Sequence, residues 1–96
     1  MPTYDAEETF WRQHARLTAA QRAAFREAVD KFVSDLRRGT FRKGLRIKRY
    51  AAHPDTWEMT WADNGRALFR YGPSIHPGEP HVVWLRIGGH AIFEER

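Results

Sequence analysis

The chain has 96 residues, no cysteine, a formal charge of +4 and a sequence pI near 10.0. That length suits one domain, residues 1–96, able to bury a core without metal support, and the absence of cysteine excludes a disulfide framework and fits a reducing cytoplasm. No apolar run approaches membrane-spanning length, Met1-Pro2-Thr3-Tyr4-Asp5 does not read as a signal peptide, and the basic balance suits an anionic partner rather than a membrane.

In chain order, residues 5–16 read as a helix, with Asp5 as N-cap and Glu7 and Glu8 placed to favour the macrodipole. Thr18-Ala19-Ala20-Gln21 is a capping-box pattern, so a second helix starts there rather than the first continuing. Phe25, Val29, Phe32, Val33 and Leu36 give that helix one apolar stripe, and Gly39 ends it behind Arg37 and Arg38. Leu17 is almost the only residue left between the two helices, which predicts a helical hairpin.

After Gly39 the period becomes two. Leu45 and Ile47 alternate with Arg46, Lys48 and Tyr50, which predicts a half-buried strand, and Ala52-His53-Pro54-Asp55 predicts a turn. Trp57 to Tyr71 reads as a hairpin turning at Asp63-Asn64-Gly65. A two-residue Asn64-Gly65 loop mixes charge into the apolar face. A three-residue loop closed by a left-handed Gly65 puts Trp57, Met59, Trp61, Ala67, Phe69 and Tyr71 on one face. It puts Glu58, Thr60, Arg66, Leu68 and Arg70 on the other, with Glu58 across from Arg70. The second register segregates the chemistry better and is preferred.

Gly72 to Pro80 is rich in proline and glycine and reads as a loop, and Val82 to Ile87 as an apolar, central strand. Gly88-Gly89 interrupts it, and His90-Ala91-Ile92-Phe93 resumes it. The fold class is therefore α+β: a helical hairpin packed on one face of an antiparallel sheet of about four strands.

The face away from the helices is where chemistry is expected. The run from Arg37 to Arg49 contains no acid, and taken alone it reads equally well as a solvated helix end and loop. Here Arg46 and Lys48 are expected to point with Glu58, Arg66, Arg70 and Arg86, lining a sheet face suited to a phosphate backbone. His90 has the side chain for proton transfer near neutral pH. The remaining histidines have no metal-ligand spacing, and no metal or cofactor is implied. Trp57 and Trp61 read as core; Trp84 is left open because simple alternation puts it with Arg86.

Helix hairpin, basic strand, Trp57-Glu58-Met59-Thr60-Trp61, Gly65-Arg66-Ala67-Leu68-Phe69, and Trp84-Leu85-Arg86-Ile87-Gly88-Gly89-His90-Ala91-Ile92-Phe93 together resemble the RelE/ParE toxin superfamily. The resemblance implies a toxin of a toxin–antitoxin pair. RelE-like members are metal-independent endoribonucleases that cut mRNA in the ribosomal A site, so it also implies a cognate antitoxin, ribosome-bound mRNA and no cofactor. In that pattern Arg66 contacts the scissile phosphate, His90 does acid–base work, Lys48 lies on the strand that often carries catalytic lysines, and Phe93 stacks on a base. The charged face itself adds Glu58 as a candidate base and Arg46, Arg70 and Arg86 as cations to hold RNA. Phe93 stands where many members have Tyr, and Ala91 where relatives often carry an acid. These departures favour the alternative, a non-catalytic ParE-like gyrase inhibitor or an inactive relative.

Overall fold

The computed structural model describes residues 2–89, so His90 and Phe93 lie outside the described residues. Strand β1 (Thr3–Ala6) leads into helix α1 (Glu8–Ala15) and helix α2 (Ala19–Arg38). A 3-10 turn at Lys43–Leu45 precedes β2 (Lys48–Arg49), β3 (Trp57–Ala62), β4 (Gly65–Gly72) and β5 (His81–Gly88). The sheet order is β1-β5-β4-β3-β2, with β1 parallel to β5 and the other neighbours antiparallel.

The α+β class and helix-on-sheet packing are as expected, with one strand more. Asp5 belongs to β1 and does not cap a helix; α1 starts after Glu7, which makes no side-chain cap bond. Thr3–Ala6 is too short to display a period, and its identity comes from pairing with β5. Where β1 ends, the buried Gln13 of α1 accepts the Ile87 backbone N–H at 2.9 Å, supplying the acceptor that a neighbouring strand would have given.

Helix α2 follows its sequence signals. Thr18 and Gln21 form the reciprocal capping box, and Gly39 adopts φ 82°, where a side chain is disfavoured. Phe10, Phe25 and Phe32 from the helices meet Met59, Trp61, Phe69, Trp84 and Ile87 from the sheet in one core. Beyond Gly39 the fully buried Asp35 organises the chain. Its carboxylate accepts from the Arg42 backbone N–H and side chain and from Arg38. These bonds, led by those from Arg42, hold the carboxyl well below the usual carboxylate range. Two cations of the basic run are thus structural.

The hairpin registers differ from expectation. Trp57 pairs with Phe69, Glu58 with Leu68 and Thr60 with Arg66; after the extra residue Trp61, Ala62 pairs with Gly65. The expected facial segregation survives, because this register differs from the expected one by two residues, an even number. Glu58 does not face Arg70. Gly65 is not left-handed, since positive φ among the described glycines occurs at Gly39 and Gly78. It is small for another reason: a Cβ there would lie 2.6 Å from the Trp61 ring.

A second bulge settles Trp84. Leu68 pairs with Arg86 but Phe69 with Trp84, which leaves Leu85 as the extra residue. Trp84 and Ile87 therefore both enter the core, while Arg86 faces the other way beside Leu68.

Candidate functional site

The face away from the helices is organised by a cross-strand row, Lys48–Glu58–Leu68–Arg86, running through β2, β3, β4 and β5. Arg66 sits one step along β4, opposite Thr60 and Gly88. The row is not an even cationic sheet. Leu68 is 2% exposed and packs with Tyr50 and Leu85 in a small apolar cluster of its own. Tyr50 reaches that position because the loop after β2 closes tightly: its backbone N–H donates to the Thr56 carbonyl at 2.8 Å.

Leu68 divides the face into two depressions. In the first, of about 370 Å³, Arg46, Lys48, Tyr50, Glu58, Thr60 and Arg66 come together. Glu58 is 8% exposed, and its Oε1 lies 3.7 Å from Lys48 Nζ, whose side chain is largely in solvent. The Arg66 guanidinium is anchored through Nη1 to the carbonyls of Ala62, Asp63 and Gly65, at 3.2, 3.2 and 3.0 Å. Those turn carbonyls fix the cation at the rim of the depression.

The second depression, also about 370 Å³, contains Arg70 and Arg86 with Glu7, His53 and Leu85. Here Arg86 Nη1 donates to Glu7 Oε1 at 3.1 Å and to the Leu85 carbonyl at 2.7 Å. The expected phosphate cations are therefore split: Arg46, Lys48 and Arg66 surround Glu58, while Arg70 and Arg86 lie across Leu68.

Arg46 is not on a strand. The expected strand from Leu45 to Tyr50 shrinks to Lys48–Arg49, because the 3-10 turn tucks Leu45 into the core. Arg46 follows that turn with φ 48° and ψ 45°, a left-handed conformation that a non-glycine residue rarely adopts. It still reaches the depression around Glu58.

No family model matches the sequence, and no curated protein is recognisably similar to it. A solved YoeB/ParE toxin from Agrobacterium tumefaciens superposes with a TM-score of 0.63 at 13% identity, covering 92% of this chain and 98% of that one. The fold is that of a YoeB/ParE toxin.

Within this toxin fold the helices cover one sheet face and leave the Glu58 depression accessible on the other. Among the described residues no cluster of His, Asp or Glu could hold a metal ion. No described helix is long and apolar enough to cross a membrane. Tyr50 is the site residue that the sequence reading passes over. Its place in the alternation with Arg46 and Lys48 was the available signal, and the loop that folds it over Leu68 was not visible.

Proposed function

We propose that the chain is the toxin of a toxin–antitoxin pair and acts as a metal-independent endoribonuclease on ribosome-bound mRNA, with the Glu58 depression as its active site. The observation that carries this reading is the shielded Glu58 carboxylate, ringed by Lys48, Arg46 and Arg66. Strand cleavage by an internal nucleophile needs a base for its proton and cations for the developing phosphorane charge, and a carboxylate beside cations can supply both.

In the proposed reaction Glu58 takes the proton of a ribose 2′-hydroxyl, and the 2′-oxygen bonds to the adjacent phosphorus. Arg66 and Arg46 stabilise the charge that gathers on the non-bridging oxygens. The bond from phosphorus to the 5′-oxygen breaks, and that oxygen takes a proton from the Lys48 ammonium. The products are a 2′,3′-cyclic phosphate and a free 5′-hydroxyl, and Glu58 returns its proton to Lys48 through solvent. His90 and Phe93, expected as acid–base and stacking residues, lie outside the described residues. Arg70 and Arg86 extend the cationic track on the far side of Leu68.

Cell-free translation followed by primer extension tests this reading. The wild type is expected to give discrete cuts in translated mRNA, and Arg66→Ala to lose them while keeping its melting temperature. Full cleavage by Arg66→Ala would overturn the assignment.

One observation favours the second reading, a non-catalytic inhibitor of DNA gyrase. Arg86 is matched by Glu7 and also donates to the Leu85 carbonyl, which leaves it fewer donors for a phosphate. Intact mRNA together with inhibited gyrase supercoiling would select that reading.

A further inference from the structure

We infer that the nucleic-acid track does not end at the Glu58 depression but turns over the sheet edge into a second cleft that receives one unstacked RNA base. The inference rests on the ribonuclease reading and extends it to a substrate subsite. The cleft encloses about 450 Å³ between α2, the Lys43–Leu45 turn and the β3–β4 hairpin. It shares Arg46, Thr60 and Arg66 with the Glu58 depression, so the two are continuous around those side chains.

The walls suit a base. Ala24 and Ala28 on α2 leave room where that helix elsewhere carries Phe25 and Phe32, and Leu45 supplies an apolar wall opposite. Small-ligand sites occupy roughly 300–1,000 Å³ and combine apolar walls with a few polar groups. Here Trp61 adds an aromatic wall, and Thr60 and Asp63 supply the polar groups.

The mouth suits a phosphate. Arg66 is pinned there by the turn carbonyls, and Arg46 is held in the left-handed region beside it. Strained backbone of that kind concentrates at ligand sites. Other cations of the cleft are matched internally: Arg42 by Asp35 and Lys31 by Glu27. Arg46 and Arg66 are thus placed to take the phosphate that links a nucleotide at Glu58 to one whose base enters the cleft.

The test is binding of 2′-O-methyl oligoribonucleotides, which cannot be cleaved, to the intact chain. Gly44 lines the mouth, and a Cβ built there meets nothing within 4 Å, so Gly44→Phe fills the entrance without backbone strain. Glu27→Phe blocks the opposite wall from an exposed helical position. Loss of one base contact is expected to weaken a hexanucleotide about tenfold in either variant. Affinity for a 2′-O-methyl nucleoside 3′-monophosphate, which has no second base and is held at the Glu58 depression, is expected to stay unchanged. Hexanucleotide binding equal to wild type in both folded variants overturns the cleft and leaves the Glu58 site standing. If the wild type binds neither the hexanucleotide nor the mononucleotide, the cleft and the ribonuclease reading fall together. If Gly44→Phe and Glu27→Phe weaken binding of an acidic protein segment but leave hexanucleotide binding at the wild-type level, the cleft is a protein contact and the inference is wrong.

Discussion

Lys48 and Glu58 face each other directly across β2 and β3, with Nζ 3.7 Å from Oε1, and only the lysine is in solvent. The pair is therefore asymmetric: a mobile, hydrated ammonium covers a carboxylate fixed in the sheet. A fixed carboxylate with a displaceable cation can accept a proton from a substrate hydroxyl without first breaking a rigid ion pair. A Glu58–Arg70 pair across the same hairpin would have been bidentate and stiffer.

Glu58→Gln keeps the shape and removes the base. Cleavage under single-turnover conditions is expected to fall by about 10²–10⁴-fold, the usual worth of a positioned general base, with RNA affinity little changed. Lys48→Ala is expected to slow the same step and weaken RNA binding as well. Wild-type rates in Glu58→Gln would remove this carboxylate from the mechanism.

The hairpin tip carries its own prediction. Gly65→Ala puts a methyl group 2.6 Å from the Trp61 ring, a contact that real Cβ atoms do not make. Overpacking of this kind costs about 1–3 kcal/mol. Denaturant unfolding should show that loss, and a Trp61→Leu background should reduce it, because the clash partner is then smaller and flexible. An additive double variant would mean that the strain lies elsewhere.

The fold was legible where residues act locally. The Thr18–Gln21 box, Gly39 and the alternation of Trp57–Tyr71 fixed α2 and the faces of the hairpin before any packing was known. What escaped depends on partners far away in sequence. Thr3–Ala6 is a strand because β5 lies beside it, and no periodicity within its length says so. Trp84 was ambiguous for a related reason: Trp84 and Ile87 lie three apart with Arg86 between them, and only a bulge at Leu85 puts both in the core. That spacing is readable as a bulge signal in retrospect. At the site, the residue types on the open face were legible, whereas their division by Leu68 and the burial of Glu58 were not. The division follows from Tyr50 packing on Leu68, a consequence of loop closure rather than of alternation.

Asp35 gives the pH dependence. Its folded-state pKa is depressed, chiefly by hydrogen bonds from Arg42, so its contribution is fully present above the ordinary carboxylate value and is lost as pH falls. Wild-type melting temperature should decline on acidification through and below the ordinary aspartate range. Asp35→Asn should melt lower at neutral pH and lack that part of the decline. The same variant frees Arg38 and Arg42 and loosens the segment that places Arg46, so oligonucleotide affinity is expected to drop with it. Parallel acid profiles for wild type and Asp35→Asn would show that the acid lability comes from other groups.

Neutralisation of the toxin is the last prediction, and it rests on the toxin reading. The open face carries Arg46, Lys48, Arg66, Arg70 and Arg86, and a free basic face binds polyanions with an affinity that falls steeply with salt. On the helix side, exposed Tyr4 and Trp11 flank an apolar groove of about 410 Å³ that also contains Phe10, Phe25, Arg22 and Arg26. An acidic, largely disordered antitoxin segment fits both surfaces: apolar anchors enter the groove, and acids reach the Arg66 side. In that arrangement Arg66→Glu with Arg70→Glu weakens antitoxin binding and flattens its salt dependence, while the uncharged Trp11→Ala weakens binding with the salt dependence kept. Titration calorimetry over a range of salt concentrations separates these effects. If the charge-reversed variant binds as tightly as wild type, with the same salt slope, the antitoxin leaves the basic face uncovered and silences the toxin by bulk alone.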